Sequence, residues 1–167
     1  MPNTANRKRP VTASFEYGIL KPLTKETAEA ISNWEYESPY AVYNFKGHPN
    51  GWLMDVSTWG TEQFCLMEGT TLLGQVACQL DGKDLWVGWS MAPQFCGKGY
   101  GGHFISRCVS ELRRFTGHTG RIQLRVAAWN QRAIRAYQKA GFSYVETTQD
   151  EIAYTHHMED FWVMELR

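Results

Sequence analysis

Apolar positions along this chain recur with two periods, and the changes from one to the other mark out its elements. Phe15, Tyr17 and Ile19 alternate with more polar neighbours, the period of an opening strand. Thr24 is placed to cap a helix over 25–34, with Glu26 well sited in the first turn. Three strand-like runs follow at 63–67, 71–80 and 85–91. The pairs Glu68-Gly69 and Asp81-Gly82 separate them as tight turns, so the runs read as an antiparallel meander. Phe104, Ile105, Cys108, Val109, Leu112 and Phe115 then form one stripe at helical spacing, which Gly117 and Gly120 end. Ile122, Leu124 and Val126 make another strand. A second helix over 130–140 stops at Gly141, a C-terminal cap, and closing strands fall at 143–148 and 160–166. That order predicts an α+β fold, one mixed sheet with helices on its faces, in a single domain over 15–167. The segment 36–59, rich in aromatic and turn residues, reads as a covering segment between the first helix and the meander.

The junction between meander and stripe carries the chemistry. The strand ends at Met91, Pro93 breaks it, and glycines at 97, 99, 101 and 102 open the helix. Glycines there let successive backbone N–H groups point into one small space, which the positive end of the helix dipole also faces. This is a socket for phosphate, and it implies a phosphate-bearing cofactor.

Composition narrows the classes. The 167 residues suit one domain, and 43% hydrophobic content is enough for a sizeable core. Seventeen basic residues balance seventeen acidic ones, so no global field attracts nucleic acid or an anionic membrane. No apolar run approaches the ~20 residues that span a bilayer, and the first residues lack a signal-peptide core. Residues 1–14, with Arg7-Lys8-Arg9, read as a flexible solvated tail. The four cysteines show no C-x-x-C spacing, which fits reduced thiols in a cytoplasmic protein. His156-His157 has only Glu159 and Asp160 nearby, and we expect no metal site.

Two phosphate-binding readings fail. Gly97-Lys98-Gly99-Tyr100-Gly101-Gly102 satisfies G-x-G-x-x-G, but a dinucleotide site needs an acidic residue about twenty positions on. No Asp or Glu lies between Glu111 and Glu146, and the next strand carries Arg125. A nucleotide P-loop needs Ser or Thr after its lysine, whereas Lys98 precedes Gly99.

The chain resembles the GNAT superfamily of acetyl-coenzyme A-dependent N-acyltransferases in two blocks. The family shows V-x-P-x-x-[RQ]-x-x-G-x-G/A between a strand and a helix; here stands Met91-Ala-Pro93-Gln-Phe-Cys96-Gly-Lys-Gly99-Tyr-Gly101. Its N-x-x-A-x-x-x-Y-x-x-x-G-F block is matched in full by Asn130-Gln-Arg-Ala133-Ile-Arg-Ala-Tyr137-Gln-Lys-Ala-Gly141-Phe142. The likeness spans about residues 15 to 167 and looks closest to the branch with ribosomal-protein alanine N-acetyltransferases. Cys96 departs from the usual Arg or Gln.

The resemblance implies a mostly antiparallel sheet splayed between strands 4 and 5, with acetyl-CoA as cosubstrate and no metal. Amides from Gly97 through Lys98, Gly99, Tyr100 and Gly101 to Gly102 would hold the pyrophosphate, and Lys98 would add a charge. The pantetheine arm would pair with the backbone of Trp89, Ser90 and Met91, and amides near Met91 would polarise the thioester carbonyl. Asn130 would hydrogen-bond the arm; it also reads as an N-cap, and both roles are compatible. Tyr137 would be the general acid toward the leaving thiolate, against the plainer reading of a core aromatic.

The resemblance also implies a primary amine as acceptor, either a small molecule or a protein N-terminus. An alkyl amine near pKa 10 is neutral in on the order of one molecule in a thousand at pH 7, so something must free it. Asp84 stands at the distal end of its strand, Arg125 occupies the place where one branch keeps a glutamate, and Glu35 and Glu37 border the expected acceptor pocket. None is singled out as the base. Two other classes stay open: a non-catalytic acyl-CoA sensor and a protein-interaction module built on exposed aromatics. The sequence does not give the oligomeric state.

Overall fold

The computed structural model describes residues 13–46, 51–152 and 157–167. Most of the expected tail, residues 1–12, and His156 lie outside them. Ala13 is already buried and the Ser14 hydroxyl donates to Glu68 at 2.7 Å, two residues ahead of the expected domain start.

The meander forms as its pattern predicts. Strand β2 (Gln63–Glu68), β3 (Thr71–Asp81) and β4 (Asp84–Met91) pair antiparallel in sequence order. Helix α1 (Lys25–Ser32) starts at Thr24, whose side chain accepts from the Thr27 N–H while Thr27 returns the bond, a reciprocal cap. It ends two residues earlier than the pattern suggested, at an Asn33 cap. Helix α2 (Gly101–Thr116) closes on Gly117, whose φ of 70° is left-handed, so Gly120 is not needed to stop it. Then come β5 (Ile122–Ala127), α3 (Gln131–Lys139), β6 (Ser143–Glu151) and β7 (Met158–Leu166).

One expectation is corrected. Strand β1 covers only Ile19–Pro22. Phe15 stands outside it with φ of 63°, fully buried against Phe95, Tyr100 and Phe104 at centroid distances of 5.4, 4.9 and 6.1 Å. The alternation was read as a strand period, but burying this ring under the glycine loop overrides it. Tyr17 is exposed.

The seven strands run in the order β1-β2-β3-β4-β5-β7-β6, and β4–β5 is the one parallel pair among neighbours otherwise antiparallel. Helices cover both faces. Phe64, Leu66, Val76, Val87 and Leu124 meet Phe104, Cys108 and Leu112 of α2 and Ile134 of α3 on one face. Cys65 meets Leu23, Ala28 and Ile31 around α1 on the other. Emptying such a site, for instance with Leu112→Ala, costs about 2–5 kcal/mol. Helix α2 lies close to β3 because Gly74 has no side chain: a Cβ there would stand 2.4 Å from the Phe104 ring.

A buried carboxylate locks α2 to the sheet edge. Glu111 is 2% exposed, yet accepts the Leu20 N–H of β1 at 2.9 Å and pairs with Arg107 at 3.1 Å and Arg114 at 2.8 Å. The Arg114 hydrogen bond is the main reason its pKa lies below the ordinary value.

Candidate active site

The parallel pair is where the sheet opens. Strands β4 and β5 pair only at Leu85↔Ile122 and Trp86↔Gln123, although both continue beyond. Past that point a cleft of about 800 Å³ separates them. Register decides which β4 groups face it. Ala92 donates to Leu73 of β3, whereas Leu85 donates to the Arg121 carbonyl beside β5. Strand alternation then turns the backbone groups of Trp89 and Met91 toward the cleft and those of Ser90 toward β3. Ser90 also lines the cleft.

At the mouth lies the glycine loop. Gly97 and Gly99 have φ of 72° and 85°, which only glycine adopts readily. A Cβ on Gly97, Gly99 or Gly102 would meet nothing within 4 Å, so the loop fronts open space. Gly101 stands where α2 meets α3: its Cβ position is 3.7 Å from Ala136, an ordinary packing distance. The first amide to bond back into α2 is that of Phe104, to Tyr100 at 2.9 Å, so those of Gly101, Gly102 and His103 keep their N–H groups for a ligand. Tyr100 packs its ring on Phe15 and Phe95 beneath the loop. Lys98 is exposed and does not line the cleft.

Tyr137 projects from α3 into the cleft opposite β4. Its hydroxyl accepts the indole N–H of Trp89 at 3.1 Å. Burial raises its pKa well above 10.0, and the Trp89 hydrogen bond opposes the rise. The phenol is therefore fully protonated at neutral pH. Asn130 uses both ends of its amide: Oδ1 accepts the Ala133 N–H at 3.1 Å as an N-cap, and Nδ2 donates to the Tyr43 hydroxyl at 3.1 Å. The N-cap role is thus present, and one Nδ2 hydrogen stays available.

Several contributors were not legible in the sequence. Tyr36 donates its hydroxyl to the Met91 carbonyl at 2.7 Å, across 55 positions, and burial drives its pKa upward. Cys96 is half-buried with its sulfur 3.8 Å from the same carbonyl, and its thiol is likewise raised by burial. Arg132, Arg135 and Lys139 of α3 line the cleft, which Lys98 does not. Their spacing puts them on one helix stripe, a signal visible in the sequence had the helix face been assigned. Glu35 pairs with Lys46 at 3.1 Å on the surface, and Asp84 pairs with Arg121 at 2.7 Å at the closed end of the strand pair. Neither Glu35, Glu37 nor Asp84 lines the cleft. Among the described residues no group of His, Cys, Asp and Glu is placed to hold a metal, and no helix is long and apolar enough to cross a membrane.

Strands β4 and β5 part where they would otherwise pair, and the glycine loop lines the gap between them. The chain belongs to the acetyltransferase (GNAT) family, whose profile matches residues 28–142. No curated protein sequence matches it. Similar solved structures include the spermidine N-acetyltransferase from Vibrio cholerae in complex with CoA and spermine, at 18% identity, TM-score 0.68, covering 90% of this chain and 95% of that one. The ribosomal-protein-S18-alanine N-acetyltransferase from Escherichia coli matches at 19% identity and TM-score 0.63, covering 89% and 92%. A GNAT acetyltransferase from Bacillus anthracis matches at 16% and 0.69, covering 90% and 95%. At these identities the likeness establishes the shared fold.

Proposed function

We propose that this protein transfers the acetyl group of acetyl-CoA to a primary amine, on a small molecule or a peptide N-terminus, by direct attack of the amine on the thioester. The observation that carries this is the unpaired β4 edge at Trp89 and Met91, lying between the glycine loop and Tyr137. The site fits the cosubstrate on three counts. The β4 edge offers backbone groups to an extended amide-bearing arm, the loop offers amides and open space to a diphosphate, and Arg135 and Lys139 offer charge. Acetyl-CoA supplies the activated acetyl group as a thioester.

The chain's own residues then have distinct tasks. Trp89 and Met91 orient the arm by backbone pairing, and Asn130 adds a donor. Tyr137, held protonated by its burial, donates a hydrogen bond toward the departing sulfur. Its raised pKa makes complete proton transfer to a thiolate unfavourable, so its effect is to stabilise developing charge. No carboxylate lines the cleft among the described residues. Aromatic walls from Tyr36, Tyr40 and Tyr43 favour the neutral amine by excluding water, and its proton leaves through hydroxyl groups and solvent.

Calorimetric titration with acetyl-CoA, followed by measurement of CoA release with a panel of amines, tests the reading. Micromolar binding with amine-dependent release is expected. Binding without release for any amine would instead indicate a non-catalytic acyl-CoA sensor, and no binding at millimolar ligand would overturn both.

A further inference from the structure

The charged side chains that line the cleft are all cationic: Arg125, Arg132, Arg135 and Lys139 accompany no Asp or Glu among the described residues. They divide by position. Arg135 and Lys139 flank Ala136, the residue packed against Gly101 of the phosphate loop. Arg132 instead lies over the Tyr40 ring at 3.7 Å, and Arg125 over the Phe161 ring at 4.9 Å.

Arg125 is the more telling of this second pair. It lies two residues beyond the last β4–β5 partner, Gln123, just as Gly88 lies two beyond Trp86. Strand alternation puts both on the same face of the opened sheet. A Cβ at Gly88 would meet nothing within 4 Å, so the β4 side of the cleft that Arg125 also lines is open there. Asp150 holds Nη2 at 2.6 Å, with Thr148 at 3.5 Å, while Nε and Nη1 have no acceptor among the described residues. Phe161 supports the group from beneath. The result is a fixed, partly unpaired guanidinium in the chamber that the amine must enter. Two carboxylates stand near this side without lining the cleft: Asp150, bound to Arg125, and Glu159, whose charge reaches the Tyr43 hydroxyl.

Resting on the acetyl-transfer reading above, we propose that the acceptor is an amine that also carries a carboxylate or comparable anionic group, held by the free N–H groups of Arg125. A guanidinium donates charge-assisted, bidentate hydrogen bonds to such a group, here at the solvent-reached side of the cleft. A polyamine would bring further positive charge to a chamber whose lining already carries Arg125 and Arg132.

Matched acceptors test this. CoA release is measured with L-phenylalanine against phenethylamine, β-alanine against propylamine, and spermidine. The acidic member of a pair should show kcat/KM higher by about tenfold or more, the range for hydrogen bonds to a charged group. In Arg125→Gln that ratio should fall toward one, and in Arg125→Lys it should recover in part. Acetyl-CoA affinity is read in parallel for each variant. Preference for the uncharged amines or spermidine would overturn the proposal while leaving acetyl transfer intact. So would an unchanged ratio in Arg125→Gln, a loss of acetyl-CoA affinity in that variant, or no transfer to any acidic amine by protein that binds acetyl-CoA. Failure to bind acetyl-CoA at all would instead remove the reading beneath it.

Discussion

The indole N–H of Trp89 points at the hydroxyl oxygen of Tyr137 from 3.1 Å away, joining β4 to α3 across the floor of the cleft. An indole only donates, so the phenol must spend its own proton on another acceptor. Trp89 therefore sets the direction of the Tyr137 O–H and lowers a pKa that burial raises. Tyr137→Phe should lower kcat by about a hundredfold, with little change in acetyl-CoA affinity. Trp89→Phe should lower kcat by about five- to tenfold, the worth of one neutral hydrogen bond. In the double variant the losses should not add, since both act through one hydroxyl. Steady-state kinetics on the three proteins check this.

The same pair predicts a pH profile. Because the Tyr137 pKa is raised, the basic limb of kcat due to this group should lie above 10.0, the ordinary tyrosine value. Trp89→Phe removes the one hydrogen bond that opposes the rise, so the limb should move further upward. A limb that moves downward in the variant would contradict the arrangement.

Gly102 separates ligand space from backbone strain. Its φ is not left-handed and a Cβ there meets nothing, so Gly102→Ala should leave the protein as stable or more so, by up to about 1 kcal/mol for alanine at a helix start. If phosphate occupies that space, acetyl-CoA affinity should nonetheless fall by about tenfold or more. Thermal unfolding and calorimetry on one preparation give both quantities.

Asn130 carries a structural and a functional task that two variants divide. Asn130→Ala loses the cap on α3 and should cost about 1 kcal/mol of stability. Asn130→Asp keeps a capping oxygen but removes the Nδ2 donor to Tyr43, so it should retain stability while weakening acetyl-CoA binding. Equal melting temperatures for the two variants would refute the cap.

Glu111 links stability to acid. Its folded-state pKa is lowered, first by the Arg114 hydrogen bond, so its contribution is fully present above the ordinary carboxylate value of 4.5 and is lost as pH falls through the depressed one. Glu111→Gln should cost about 1–3 kcal/mol near neutrality, by weakening the acceptor for Leu20 and both arginines. The difference from the parent should shrink toward low pH in denaturant titrations.

Local spacing specified much of this molecule. The meander, the stripe of α2, the Thr24 and Asn130 caps, and the glycine loop are all short-range patterns. Each depends on what residues a few positions apart do to one backbone, so one chain suffices to read them. The alternation at Phe15 misled for the same reason: its period was local, but burial of the ring against three distant aromatics decided its conformation. Glu111 interrupts an apolar stripe, and the Leu20 N–H together with Arg107 and Arg114 makes its burial tolerable.

The acceptor side belongs to tertiary structure. Tyr36 meets Met91, Trp89 meets Tyr137, and Arg125 lies over Phe161 because a sheet that twists apart between two parallel strands brings separate segments to one gap. No spacing along the chain encodes how far those strands diverge, since that follows from the packing of helices on both faces. The sequence by itself determined the glycine-rich turn into α2 and the helix that carries Tyr137, because both are short-range patterns. Only the packed sheet decided that Trp89 donates to that tyrosine's hydroxyl and which charged side chains line the cleft, since both join segments far apart in the chain.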